Sequence, residues 1–288
     1  MRASIVIPTF NGSAHIRDQL DALARQSGLD DVEIVVSDNG STDDTVDIVR
    51  SYEDRFPHLV VVDSAGDRGV SFARNAGAAI ARGDELLFID DDDVVGDGWL
   101  DAMLAALAEH PFVAARLEHR LLNPDWTIGH RGEPQVDGLE RAVPPYLDFA
   151  FGGTLGVHRS IHEAVGGFAV EFRRGADDCD YCYRIALSGT ALTFAPDAIV
   201  HYRHRQRLPA LFAQARTYGE STVRLLSIYH GQGMGRPSVP KAIASWVLMV
   251  PRLPFELPTR AGRARWVWRL GWRLGRLEGS ARWGIFSP

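Results

Sequence analysis

The sequence predicts an α/β protein: a mostly parallel sheet flanked by helices over residues 1–205, followed by a helical C-terminal extension over 206–288. Three observations lead there. Short β-branched or apolar runs at 4–7, 32–37, 59–63 and 85–89 are each bounded by Gly, Asn, Asp or Pro, the pattern of buried strands. Between them apolar residues recur at helical spacing: Ile16, Leu20 and Leu23, then Val46 and Val49, then the Ala-rich stretch 71–82. Strand and helix alternate, so right-handed crossovers and a helix-covered parallel sheet follow.

In such sheets ligands bind beyond the carboxyl ends of the strands. The first strand runs into Pro8-Thr9-Phe10-Asn11-Gly12, and the second into Asp38-Asn39-Gly40-Ser41. Ser41 or Thr42, with acidic residues after it, predicts a helix N-terminus. The fourth strand ends in the four carboxylates Asp90, Asp91, Asp92 and Asp93. Like charges repel, so a cation, a helix N-terminus or basic side chains must offset them. Mg²⁺ or Mn²⁺ is the natural partner for hard oxygen ligands beside phosphates. In an extended D-x-D, Asp90 and Asp92 point to one side. The competing reading is a solvated acidic turn; convergence of three polar strand ends on one edge favours a site. No G-x-G-x-x-G follows the first strand and no G-x-x-x-x-G-K-[ST] occurs, which disfavours dinucleotide oxidoreductases and P-loop enzymes.

With 288 residues, 45% hydrophobic and 24% charged, the chain can bury a large core. Its net charge of −6 hides an asymmetry: residues 241–288 carry nine basic residues against Glu256 and Glu278, a formal +7 that leaves −13 on the rest. The apolar run before Pro8 is too short for a signal-peptide core, so a cytoplasmic protein is expected. The apolar run 242–250, broken by Pro251 and Pro254, falls short of a membrane span. Cys179 and Cys182 form a C-x-x-C without a second pair, on a segment that reads as helix; packing is favoured over redox or zinc chemistry.

These residues resemble a known family, the inverting glycosyltransferases of family 2 with the GT-A (nucleotide-diphospho-sugar transferase, Rossmann-like) fold. Pro8-Thr9-Phe10-Asn11-Gly12 resembles its opening P-[TS]-[YF]-N. The segment 33–45 resembles E-I-I-V-V-D-D-G-S-x-D-x-T, with Ser37 where many members carry an Asp. Residues 69–77 are similar to G-x-x-x-A-R-N-x-G, and 175–184 to G-x-E-D-x-[DE]-[LY]-x-x-R, with Asp177 in place of the Glu. Phe151-Gly152-Gly153-Thr154 and Gly166-Gly167-Phe168 resemble acceptor-side loops.

The resemblance implies transfer of a sugar from a nucleoside-diphosphate-sugar donor to an acceptor hydroxyl, with Mg²⁺ or Mn²⁺ as cofactor. It implies Asp178, or its neighbour Asp177, as the base. Pro8, Thr9, Phe10, Asn11 and Asp38 would meet the nucleoside, and Arg74 the diphosphate. Asp90 and Asp91 would complete the donor contacts, and Asp90, Asp92 and His201 the metal site. His204, between Arg203 and Arg205, competes with His201. Inversion needs one proton-accepting carboxylate and a metal on the departing diphosphate. Acceptors implied are a glycan, a lipid-linked intermediate or a small molecule. A nucleotidyltransferase and a catalytically silent sugar-nucleotide- or membrane-binding partner remain the rivals.

Beyond residue 205, stretches 208–229 and 263–277 read as helices separated by a Gly/Pro break at 231–240. Arg265, Arg269, Arg273 and Arg276 share one arc, Trp266, Val267, Leu270, Leu274 and Leu277 the next. Five of seven Trp fall at 246, 266, 268, 272 and 283. Two readings stay open: peripheral contact of 241–288 with the inner face of a membrane, or a helix packed on its own domain through Gly271, Gly275 and Gly279. Nucleic acid is not an expected partner.

Overall fold

A computed structural model describes residues 1–142, 144–173 and 175–287. The strands are β1 (Ala3–Thr9), β2 (Val32–Asp38), β3 (Leu59–Asp63), β4 (Glu85–Phe88), β5 (Val94–Val95), β6 (Phe112–Glu118), β7 (Glu140–Arg141), β8 (Asp148–Phe149), β9 (Leu155–His158) and β10 (Thr193–His201). The helices are α1 (Ile16–Leu23), α2 (Thr45–Arg50), α3 (Val70–Ile80), α4 (Trp99–Glu109), α5 (Arg159–Ala164), α6 (Asp177–Leu187), α7 (Leu208–Tyr229), α8 (Val239–Val247), α9 (Leu253–Glu256) and α10 (Arg260–Trp283).

The expected strands pair in parallel in the order β3-β2-β1-β4, and the eight-stranded sheet continues as β9-β6-β10-β5. Strand β9 is antiparallel to both neighbours, β10 is parallel to β6, and β5 closes the edge antiparallel. Alternation is hidden in the sequence because both faces are buried. Ile5, Ile7, Ile34 and Val36 pack with Trp99 and Met103 in one core layer. Val6, Val35 and Phe88 pack with Phe168, Tyr181 and Ile185 in the other.

Register places the polar strand ends together: Thr9 lies opposite Asp38, and Asp38 opposite Asp63. Helix α2 begins at Thr45, later than Ser41 or Thr42 suggested, because Asp43 Oδ1 accepts from the Thr45 backbone N–H at 3.2 Å. Strand β10 shifts register between Ala195 and Ile199, around Pro196, which has no N–H for the ladder.

Helices α7 and α10 lie against each other with glycine at the contacts. A Cβ on Gly271 would stand 2.6 Å from Phe212 O, and one on Gly279 2.8 Å from Val223 Cβ. The glycine stripe therefore packs on the molecule's own helix. Trp268 is buried with Leu211, Ala215 and Ala264, and α7 in turn packs Leu225, Leu226 and Tyr229 against Tyr183 of α6. No described helix is long and apolar enough to cross a membrane.

Candidate active site

A cavity of about 870 Å³ opens at the carboxyl ends of β1, β2 and β4. Thr9, Phe10, Asp90–Asp93, Gly152, Gly153, Asp177 and Asp178 line it, together with Tyr202, Arg205, Trp268, Arg269, Trp272 and Arg273. The acidic strand end and the Asp177-Asp178 pair, far apart in sequence, thus face one space.

Arg74 joins them. Its Nη2 donates to Asp90 Oδ1 at 2.6 Å and its Nη1 to Asp177 Oδ2 at 2.8 Å, while Cζ lies 5.2 Å from the Phe168 ring centroid. The guanidinium is buried and committed to these carboxylates; it is not free to take a diphosphate as the sequence suggested. Small residues make the junction fit: a Cβ on Gly152 would lie 2.6 Å from Arg74 Cζ, and one on Gly153 2.7 Å from Asp90 Cγ. Asn75 holds the neighbouring loop, its Nδ2 donating to Phe168 O and its Oδ1 accepting from Phe168 N–H.

The adjacent aspartates at the start of α6 differ in environment. The chain enters through Gly175 (φ +138°) and Ala176 (φ +63°), the latter a left-handed conformation that costs a residue with a Cβ about 1 kcal/mol or more. This turn sends Asp177 inward to Arg74. Burial pushes the Asp177 carboxyl up to about 7; Arg74 opposes the shift but is shared with Asp90. Asp178 is less enclosed. Its Oδ1 accepts from Cys179 N–H at 2.8 Å and its Oδ2 from Gly152 N–H at 3.3 Å. Burial raises it above the ordinary carboxylate range despite Arg74.

The acidic run is a turn between β4 and β5, not the extended D-x-D the sequence suggested, and its side chains part to different partners. Asp91 turns back to β1, its Oδ2 accepting from Thr9 Oγ1 at 2.5 Å; burial and the charge of Asp92 push it up to about 7. Asp92 Oδ2 accepts from Arg205 Nη1 at 2.9 Å, and burial raises this carboxyl also. Asp93 is buried on Arg203 N–H and pushed well up by burial and by Asp92. Among the described residues no group of three or more His, Cys, Asp and Glu side chains is placed to enclose a metal.

Three expected site residues stand elsewhere. His201 points across the sheet: it lies in register opposite Glu118 of β6, and its Nδ1 pairs with Glu118 Oε2 at 2.8 Å, so it does not join Asp90 and Asp92. Asn11 is spent on the neighbouring loop after β2, its Oδ1 accepting from Thr42 N–H at 2.8 Å. Asp38 accepts from Ser41 N–H and stands behind Asn39, which does reach the cavity. Phe10 is 48% exposed at the mouth, with Arg68 Cζ 5.8 Å from its ring centroid. His204 is buried instead on His119, 3.1 Å away. Both cysteines are free and buried in α6, where burial raises the thiols.

Sequence reasoning named Arg205 only as a neighbour of His204, and it missed Arg131, Tyr202 and the contribution of α10 to the cavity wall. The arcs of Arg and Trp on α10 were the available signal for the last. Arg131, alone in a loop between Gly129 and Gly132, had none.

Residues 4–177 match the sequence profile described as glycosyl transferase family 2. The chain is 45% identical over 231 residues to validoxylamine A glucosyltransferase of Streptomyces hygroscopicus subsp. jinggangensis (strain 5008), covering 68% of this chain and 54% of that protein. It spans about half the length of the curated relatives it matches. Among solved structures, the mannosyltransferase PcManGT from Pyrobaculum calidifontis in complex with GDP-Man and Mn²⁺ superposes with a TM-score of 0.65 at 19% identity, covering 96% of this chain and 87% of that one. S. aureus TarS 1–349 in complex with UDP-GlcNAc gives 0.56 at 18%, covering 99% and 92%. At such identities the likeness concerns the fold.

Proposed function

The chain belongs to glycosyl transferase family 2, and from that premise we propose that it transfers a sugar from a nucleoside-diphosphate-sugar donor to an acceptor hydroxyl, with inversion at the anomeric carbon. One observation carries the reading: Asp178, with a carboxyl raised by burial, faces the same cavity as Asp90 and Asp92. Asp178 accepts the proton of the acceptor hydroxyl as that oxygen attacks, and the nucleoside diphosphate leaves from the opposite side. Asp177, closed off by Arg74, positions its neighbour.

The acidic strand end suits a divalent cation. Arg74 and Arg205 offset only part of its charge, and Asp90 and Asp92 offer hard oxygens, the one or two protein carboxylates that Mg²⁺ or Mn²⁺ takes beside phosphates. Bound there, the ion would neutralise charge on the departing diphosphate. Phe10 and Arg68 at the mouth offer stacking and charge to the nucleoside end of the donor. The validoxylamine A glucosyltransferase relative makes glucosyl the first sugar to try, with validoxylamine A as the first acceptor. A glycan or lipid-linked acceptor, and so a part in polysaccharide or glycoconjugate synthesis at the cytoplasmic face of a membrane, is the broader form of the proposal.

The test is thermal stabilisation by UDP, GDP and their sugar conjugates with Mn²⁺, Mg²⁺ or EDTA, followed by release of nucleoside diphosphate with candidate acceptors. A ligand at a hundred times its Kd adds about 2.7 kcal/mol to apparent stability. Stabilisation that needs a divalent ion and turnover with an acceptor are expected. Binding without turnover across all acceptors would move the reading to a silent partner.

A further inference from the structure

The loop between β6 and β7 puts into the cavity a guanidinium that the chemistry above leaves unused. Arg131 lines the cavity. Its Cζ lies 5.2 Å from the ring centroids of Phe151 and Tyr202, 5.4 Å from that of Trp268 and 5.9 Å from that of Tyr218. Three other arginines of the cavity wall meet carboxylates: Arg74 with Asp90 and Asp177, Arg205 with Asp92, Arg269 with Glu256. Arg131 has no carboxylate partner among the described residues, and its Nε and Nη2, shut off from solvent, make no hydrogen bond. The titratable groups around it are the Tyr202 and Tyr218 hydroxyls and the imidazoles of His119, His130 and His204, none of them an anion at neutral pH.

Aromatic faces attract a cation but offer little to N–H donors, and the Tyr202 and Tyr218 hydroxyls act on the guanidinium without satisfying Nε or Nη2. A buried donor left without an acceptor destabilises the fold. An oxyanion admitted by a small shift of the surrounding rings corrects both deficits, and the planar fork of Arg matches phosphate or carboxylate with two parallel hydrogen bonds.

We propose that Arg131 and its four rings form a subsite for an anionic group, phosphate or carboxylate, carried by the acceptor. The inference rests on the transferase reading. The cage belongs to the acceptor end: Phe151 adjoins Gly152, whose N–H holds Asp178, and Tyr218 and Trp268 come from α7 and α10. The nucleoside end is built separately, from Phe10 after β1 and Arg68 before α3. Trp272 and Arg273 extend the same wall, and Arg273 also lacks a carboxylate, donating to Ser245 Oγ and Arg269 O.

The probe is inorganic phosphate, titrated into the full chain in EDTA, with and without a saturating amount of whichever of UDP or GDP stabilises the protein. Wild type is expected to bind phosphate equally well in both conditions. Arg131→Gln should lose about ten- to a hundredfold in phosphate affinity, the equivalent of hydrogen bonds to a charged group. Arg131→Lys, which keeps the charge without the fork, should fall between. Unchanged stabilisation by the nucleotide in both variants shows that the fold and donor site are intact. Three results overturn the proposal: no phosphate binding by wild type, equal affinity in wild type and Arg131→Gln, or displacement of phosphate by the nucleotide, which would assign the guanidinium to the donor. Should neither nucleotide bind, the transferase reading fails, while the phosphate comparison of wild type with Arg131→Gln still decides the subsite.

Discussion

At the scale of single residues, Asp177 and Asp178 are chemically identical and adjacent, yet the first turn of α6 gives them different work. Asp177 is locked on a buried guanidinium, whereas Asp178 is held by two backbone N–H groups with its carboxylate at the cavity. Asp178→Asn is expected to lower kcat by about 10²–10⁴-fold, the usual contribution of a positioned base, with nucleotide binding and melting temperature retained. Asp177→Asn weakens a charged hydrogen bond and should cost about 1–3 kcal/mol in denaturant unfolding, with a smaller effect on the chemical step. Single-turnover kinetics on both variants decide the matter; the reverse pattern would transfer the proton acceptor to Asp177.

Between α7 and α10 the fit depends on absent side chains. A Cβ on Gly275 would fall against the Arg216 carbonyl, 2.7 Å from its carbon and 3.0 Å from Cα, so Gly275→Ala must push the helices apart. Overpacking of this kind costs about 1–3 kcal/mol. Because α10 carries Trp268, Trp272 and Arg273 into the cavity wall, acceptor use should suffer as well. Gly231→Ala, where nothing lies within 4 Å, is the neutral control in the same melting experiment.

The histidine cluster at the end of β10 gives a pH dependence of definite sign. Burial, reinforced by Arg131, holds His130 down to about 4 and His204 down to about 3, against about 6.5 for a free imidazole. A depressed folded-state pKa stabilises fully above the unfolded value and loses that contribution as pH falls from about 6.5 toward the folded values. Raised carboxyls such as Asp177 act oppositely, gaining stability as pH falls through about 7. The readable quantity is therefore the difference between wild type and His204→Gln, expected to shrink between pH 7 and pH 4. A difference independent of pH would show that His204 is not held neutral.

At the scale of the whole molecule, the exposed apolar surface of the C-terminal region lies outside α10, on which the helical arcs placed it. Helix α10 turns its glycines and Trp268 inward. Helix α8 has no buried residue, and Val247 at 65%, Val250 at 67% and Phe255 at 82% exposure form an apolar face over α8 and α9. In the sequence Lys241, Arg252, Arg260 and Arg263 stand on either side of these residues, and Glu256, the acid between Lys241 and Arg263, is paired with Arg269. Such a face suits the boundary of an anionic bilayer. Arg273 to Ser245 and Arg269 to Glu256 would then hold the acceptor end of the cavity beside the lipid. Sedimentation with vesicles containing phosphatidylserine is expected to be lost in a Val247→Asp, Phe255→Asp double variant and absent with purely zwitterionic vesicles; equal sedimentation of variant and wild type would sink the membrane contact.

Local pattern determined the sheet half of the molecule. Runs at 4–7, 32–37, 59–63 and 85–89 had to become strands because they are short, apolar and bounded by turn residues, and their order required the polar ends to meet at one edge. The acidic run was legible as a candidate site because like charges avoid one another, and Asp177-Asp178 was legible only through the family resemblance. Only the tertiary structure decided which partner each charge meets. Arg74 bridges residues separated by 103 positions to Asp177 and 16 to Asp90, His201 falls to Glu118 through sheet register, and four rings from distant segments close around Arg131. Hydrophobic periodicity reports which face of an element is buried, but charge pairing depends on distances of a few ångströms between elements, and those are fixed only when the layers pack.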